Sequence, residues 1–316
     1  MRIPLPTIEE ARALLKSYLT PTPLIEATRP GPTDEALFLK VETGLPTGSF
    51  KVRGALYALS VNARRQTIGE VIAASTGNHG AAVAYAGRSF GIPATIFLPE
   101  HPNPVKAQRI RDSGGRIVEA GRDLSASIDA AYEYARQRGA FFLHDAADPD
   151  VPAGAATIAL ELLEQLPSVE AIYVPMGDTA LIRGVASAAK QLKPGISIVG
   201  AVAERAPAYF LSWQKRFPVD TPSADTIADG LAVRRPLQSN VDDICALVDD
   251  VRLVSEDEML QAIEYLSSNE HVNAEPAGAA ATAAYLKDSN RRSVSVALVT
   301  GGNRAPGIQA CSPART

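Results

Sequence analysis

The chain has 316 residues, a hydrophobic share of 46% and a formal charge of −4. That composition belongs to a globular protein with a sizeable core and lacks a basic footprint for nucleic acid. It contains no apolar run of the ~18 residues a membrane span needs. Its early charges, without an apolar segment, speak against a secretory leader.

Residues 7 to 18 read as a helix, with Thr7 as candidate cap and Glu10 three residues on. Residues 20 to 33, rich in proline and threonine, read as a loop, and Leu37–Val41 as a short strand. A turn with Pro46 and Gly48 follows, then Lys51, then a helical run from Gly54 to Leu59. From there apolar strands alternate with longer helices. Strands are expected at Val71–Ala74, Ala94–Leu98, Arg116–Glu119, Phe141–Leu143, Ala171–Val174, Ser197–Val202 and Val294–Val299. Helices are expected over Ala81–Phe90, Pro104–Ser113, Ser125–Arg138, after Gly154 to Leu166, up to Leu192, over Ser255–Ser267 and over Ala277–Leu286. Ser255 and Glu258 carry the spacing of a capping box. This alternation predicts an α/β protein with mostly parallel sheets. The irregular stretch Pro207–Pro236 is too long for a plain connector and is expected to cover something.

Parallel sheets place ligands at the carboxyl ends of their strands, and four polar stretches lie at or near such ends. Lys51 stands at a helix entrance, where the helix dipole disfavours an ammonium and favours a neutral, nucleophilic amine; by itself it is better read as an ordinary surface lysine. Ser75-Thr76-Gly77-Asn78-His79-Gly80 follows a strand and offers amides and hydroxyls for a carboxylate, or simply caps a helix. Gly177-Asp178-Thr179-Ala180-Leu181 is a strand-to-helix turn of the kind that holds phosphate on backbone amides. Asp178 is awkward there, because a carboxylate about 4 Å from a phosphate is repelled by about 4 kcal/mol per unit charge at an effective dielectric near 20. If the turn holds phosphate, Asp178 is expected to face outward. Thr300-Gly301-Gly302-Asn303 ends the last strand, and the Thr300 hydroxyl could bond a ring nitrogen.

The order S-F-K-x-R-G, S-x-G-N-H, a glycine loop after V-P, T-I-A-D-G, E-P-x-G and G-G-N resembles the serine/threonine dehydratase family of pyridoxal-phosphate enzymes. The likeness runs from Thr22 to Asn303 and implies the two-domain tryptophan-synthase-like fold. Residues 69–146 would form the small mobile domain, and residues 1–68 plus 147–316 the large one. It implies pyridoxal 5'-phosphate as cofactor, held covalently by Lys51. Phe50 would pack by the ring, Asn78 bond the ring hydroxyl, Gly177 to Leu181 (Asp178, Thr179 and Ala180 included) cup the phosphate, and Thr300 face the pyridine nitrogen. Gly230 and Glu275 would border the site, and Ser75, Thr76, Gly77, Asn78 and His79 would grip the substrate carboxylate. The activity implied is elimination of water from an L-β-hydroxy amino acid, giving a 2-oxo acid and ammonia, in a homodimer.

Several positions depart from that pattern. The cup keeps one glycine, and Gly154-Ala155-Ala156-Thr157 replaces the more usual G-Q-G-T. Ala146 stands where a bulkier residue is common, so a substrate larger than serine is expected. Tyr209 and Phe210 occupy positions where some members carry metal-binding acids after Glu204 and Ala208, so weak metal binding or none is expected. The chain ends soon after Asn303, so a C-terminal regulatory domain is not expected. Thr76, on the face opposite the lysine, keeps amino-acid racemisation open as the alternative; β-replacement and non-catalytic cofactor binding are further ones. Cys245 and Cys311 lie far apart, and the histidines do not cluster. The expectation is a cytoplasmic protein with reduced thiols and no zinc site.

Overall fold

The computed structural model describes residues 2–28, 35–75, 77–122 and 124–304. The first part of the chain contributes helix α1 (Leu5–Leu15), strands β1 (Leu24–Glu26) and β2 (Ala36–Val41), and helix α2 (Lys51–Arg65). Then β3 (Val71–Ala74), α3 (Asn78–Phe90), β4 (Ala94–Leu98), α4 (Pro104–Asp112), β5 (Arg116–Glu119), α5 (Leu124–Arg138) and β6 (Phe141–Phe142) alternate. The alternation continues through α6 (Val151–Gln165), β7 (Ala171–Pro175), α7 (Ala180–Leu192), β8 (Ser197–Ala203) and α8 (Ala208–Lys215). A 3-10 turn at Asp229–Leu231, α9 (Gln238–Leu247), β9 (Asp250–Val254), α10 (Glu256–Ser268), α11 (Pro276–Lys287) and β10 (Val294–Val299) complete the described chain.

These strands form two sheets. The six-stranded one runs β1-β2-β10-β7-β8-β9, parallel except for the antiparallel edge strand β1. The four-stranded one runs β5-β4-β3-β6 and is wholly parallel. Successive side chains of a strand point to opposite faces, so the larger sheet feeds two cores. Ile172, Val174, Ile198 and Val296 pack with residues of α6, α7 and α9. Tyr173, Val199, Ala201 and Ala297 pack with α10 and α11. In the smaller sheet Val71, Ala73 and Ile96 join residues of α2, α3 and α4, while Ile72 and Phe97 face α5.

Most boundaries agree with the sequence reading, and the Ser255–Glu258 capping box is present. The first helix differs. It starts at Leu5, ahead of Thr7, because Pro6 is preset for a first helical turn and the Pro4 carbonyl accepts from the Thr7 and Ile8 amides. Helix α6 starts at Val151, ahead of Gly154. Gly154 lies inside the helix because a Cβ there would strike the Arg53 carbonyl of α2; it permits a close helix crossing. The stretch from Pro207 holds α8 and the 3-10 turn, and it does cover something. Gly230 lies directly over Gly177 at the end of β7.

Candidate active site

A cleft partly open to solvent lies at the carboxyl ends of β7 and β10. Lys51, the first residue of α2, stands in it. The turn before Lys51 is fastened to the end of β10. The Phe50 amide donates to the Thr300 carbonyl at 3.0 Å, the Gly302 amide donates to the Gly48 carbonyl at 3.0 Å, and Ser49 bridges Gly301. This pairing brings Phe50, Lys51 and Thr300 together, although they stand near opposite ends of the chain. The cleft is also lined by Asn78, Gly177, Asp178, Thr179, Leu181, Gly230 and Glu275. Ala180 is set back, as the first residue of α7.

The turn from β7 into α7 is shaped by close approach. Gly177 cannot carry a side chain, since a Cβ would run into the Gly230 carbonyl. Thr179 takes the left-handed conformation (φ 73°), unusual for a β-branched residue. Its hydroxyl is buried without a hydrogen-bond partner of acceptable geometry, beside the Tyr209 phenol. Tyr209 is itself buried and accepts from Asn240 Nδ2 at 3.3 Å. It supports this turn from behind. Glu204 stands exposed just past β8, and among the described residues no group of three His, Cys, Asp or Glu side chains could hold a metal ion.

Contrary to the expectation from the sequence, Asp178 does not face outward. Its Oδ2 is paired with Lys51 Nζ, and its Oδ1 accepts from the Ala180 amide at 2.9 Å. The nearest first-turn amide of α7 is thus already capped by the preceding aspartate. A second carboxylate, Asp145 Oδ2, lies 3.1 Å from Lys51 Nζ. Burial lowers the affinity of Lys51 for its proton, but the two aspartates outweigh it and hold the amine as ammonium, well above the ordinary lysine range. The helix-entrance dipole, which favours the neutral amine, is overridden by two charges at contact distance. The sequence reading misses Asp145. The available signal is an acidic residue just past the carboxyl end of a parallel strand, one position before Ala146. Burial raises Asp145, but the Lys51 ammonium beside it pulls it below the usual carboxylate range.

The segment after β3 is placed as follows. Ser75 Oγ accepts from the Gly77 amide at 3.2 Å, and Thr76 lies outside the described residues. Asn78 Nδ2 donates to Glu275 Oε1 at 2.5 Å, and Asn78 Oδ1 accepts from Asn303 Nδ2 at 2.6 Å. Burial pushes the Glu275 carboxyl up, partly countered by Asn78. His79 does not line the cleft; its Nε2 lies 2.9 Å from the Leu143 carbonyl, and burial pushes its imidazole down, to the neutral form. Ala146 does not line the cleft. Its carbonyl accepts from Asn240 Nδ2 at 3.1 Å and Arg183 Nη2 at 3.3 Å. Across the mouth, α4 reaches the larger sheet through two contacts, Lys106 with Asp229 and Arg109 with Asn303.

Residues 15–301 match the family model described as pyridoxal-phosphate dependent enzyme. The chain is 39% identical to the L-threonine ammonia-lyase of Geobacter sulfurreducens over 272 residues, covering 84% of this chain and 67% of that one. Among solved structures, the threonine deaminase of T.th. superposes with a TM-score of 0.90 at 29% identity, covering 98% of this chain and 100% of that one. Maize serine racemase does so with a TM-score of 0.90 at 31% identity, covering 96% and 94%. These neighbours bear out the α/β architecture read from the strand–helix alternation.

Proposed function

Because this chain belongs to the family of pyridoxal-phosphate-dependent enzymes, we propose that it is an ammonia-lyase removing water from L-threonine and related L-β-hydroxy amino acids. The products are a 2-oxo acid and ammonia. The observation that carries the reading is the placement of Lys51. A primary amine stands in the cleft facing a phosphate-sized turn, in a chain whose relatives at 39% and 35% identity are named L-threonine ammonia-lyases.

The residues fit the cofactor. The Gly177–Thr179 turn is a backbone turn with no room for a side chain at Gly177, where Gly230 packs over it, and the Thr179 hydroxyl is a buried donor without a partner. Both suit a phosphate oxygen. Thr300, at the end of β10, offers a hydroxyl to a ring nitrogen, and Asn78 an amide to the ring hydroxyl. When bound, the cofactor supplies an electron sink for bond breaking at the substrate α-carbon.

The chain supplies the rest. Lys51 would hold the cofactor, and its free amine would be the base placed to take the α-proton. Ser75 and Gly77 would hold the substrate carboxylate through a hydroxyl and backbone amides just ahead of α3. The contacts of Lys106 and Arg109 across the mouth limit the access of water, with residues 69–146 moving as the closing domain. We extend the proposal to a cytoplasmic homodimer, on the family resemblance.

The test is 2-oxo acid release from a panel of β-hydroxy amino acids, larger ones such as phenylserine included, with enantiomers of the remaining amino acid resolved. Threonine or a relative is expected to give keto acid with little inversion. Inversion without keto acid would replace this reading with racemisation, the activity named for the maize neighbour.

A further inference from the structure

We infer that Asp145 selects the substrate by the charge of its β-substituent, admitting neutral hydrogen-bond donors and cations and rejecting anions. This deepens the function proposed above and rests on it, because it takes the amine site at Lys51 as the place where the substrate nitrogen arrives.

Three observations lead there. The first is position. Asp145 Oδ2 lies 3.1 Å from Lys51 Nζ, and an incoming substrate amine exchanges with that nitrogen. The substrate β-carbon is two bonds from its own nitrogen, about 2.5 Å away. Whatever the β-carbon carries therefore lies within reach of the Asp145 carboxylate.

The second is charge. Asp145 is ionised, and its carboxylate faces that of Asp178, with one ammonium between them. The local balance from these three groups is negative. The cations nearby are engaged elsewhere. Arg183 bonds the Ala146 carbonyl and pairs with Asp243, Lys106 pairs with Asp229, and Arg109 bonds Asn303. An acidic β-substituent would enter a negative pocket without a counterion, whereas a hydroxyl can donate to Asp145.

The third is rigidity. Asp145 cannot easily turn away, because the residue after it is pinned. Ala146 accepts from Asn240 and Arg183 through its carbonyl, and its amide donates to His144 Nδ1 at 3.1 Å. Asn240 is buried, and its Nδ2 also lies 3.3 Å from the Asp178 carbonyl. One side-chain amide thus ties the loop bearing Asp145 to the turn bearing Asp178.

L-asparagine and L-aspartate provide the test, since they have nearly the same shape and differ by one charge. Their affinities for the holoenzyme are measured by isothermal titration calorimetry, for the parent protein and for Asp145→Asn, with Asp178→Asn as the comparison. The parent is expected to bind asparagine about thirtyfold or more tightly than aspartate, the discrimination left when a contact-range repulsion is screened by a partly open cleft. Asp145→Asn should reduce that ratio to about threefold or less, and Asp178→Asn should keep most of it. Asp145→Ser serves in its place if the asparagine variant does not fold. A parent ratio near one, a ratio unchanged by the Asp145 substitution, or one abolished only by Asp178→Asn would overturn the assignment. If the ratios behave as expected while no β-hydroxy amino acid yields keto acid, the lyase reading fails and the role of Asp145 stands.

Discussion

Replacing Asp178 by asparagine is expected to speed cofactor capture by the apoenzyme. The new amide side chain would keep an oxygen for the Ala180 amide, the contact that Asp178 Oδ1 makes at 2.9 Å, so the start of α7 is preserved. What is lost is one of the two carboxylates holding Lys51 as ammonium. Only the neutral amine attacks an aldehyde, so at neutral pH capture is limited by the small deprotonated fraction. An opposite charge within about 4–6 Å moves a pKa by about one to three, so removing it should raise the neutral fraction about ten- to a thousandfold. The sign with pH is fixed by the same argument. A lysine whose proton is held too tightly gains reactivity as pH rises, and the parent rate should climb steadily across the alkaline range. The substitution also removes a repulsion of about 4 kcal/mol per unit charge at 4 Å and an effective dielectric near 20, felt only by a ligand with a phosphate. Stopped-flow absorbance with pyridoxal phosphate and with pyridoxal separates the two effects. Pyridoxal reports the lysine alone, and the phosphate ester both. Unchanged rates for both ligands in Asp178→Asn would refute the idea that this carboxylate controls Lys51.

Lys51→Ala should lose both the cofactor absorbance that borohydride can fix and all turnover; retained turnover would remove Lys51 from its role. Gly177→Ala drives a methyl group into the Gly230 carbonyl and should strip the protein of cofactor on dialysis while costing about 1–3 kcal/mol in a denaturant titration. Arg53→Met leaves Glu42 and Glu161 facing one another in the core, where Arg53 donates to them at 2.6 to 3.1 Å, and should lower stability by about 3–5 kcal/mol. Burial raises Glu161 but Arg53 and Lys40 lower it further, so its contribution is complete above the ordinary carboxylate range and lost as pH falls through its depressed value; Glu161→Gln should flatten that acid limb. Lys106→Met removes the bridge to the partly exposed Asp229 and should raise KM up to about fivefold, the effect of about 1 kcal/mol, with kcat little changed.

Most of the strands that the sequence places correctly are buried on both faces, with the half-exposed Arg116–Glu119 as an exception. Val71–Ala74, Ala94–Leu98 and Val294–Val299 are short apolar runs bounded by polar turns, and a parallel sheet covered by helices demands such runs. The elements it misses lack that signature. β1 spans three residues and is a strand only because β2 lies beside it. Helix α9 carries Asp242 and Asp243 within a modest apolar stripe, and β9 contains Arg252 and is buried at Val251 and Val254. Their structure comes from α7 and β8, against which they pack, and nothing local announces it. Asn240, which ties two loops of the site together, lies in this stretch.

The turn from β7 into α7 shows the same division within a single segment. Its backbone is legible, because a strand, a glycine and a helix start in that order leave amides facing one point. The direction of Asp178 is not. A carboxylate in a phosphate-binding turn is repelled by its ligand, and that argument alone turns it outward. The deciding partner is Lys51, 127 residues earlier in the chain, joined by Asp145 from a third segment. Three charges from three strand-end loops settle their arrangement together. An ammonium between two carboxylates satisfies Lys51 and brings the aspartates within contact of each other, which neither would tolerate alone. The Ala180 amide then fixes Asp178 from the other side. The residue that looks least compatible with the cup is therefore the one linking it to the lysine. Were the turn to hold a phosphate, the Lys51–Asp178 pair would have to separate, which would couple loss of the Lys51 proton to phosphate entry.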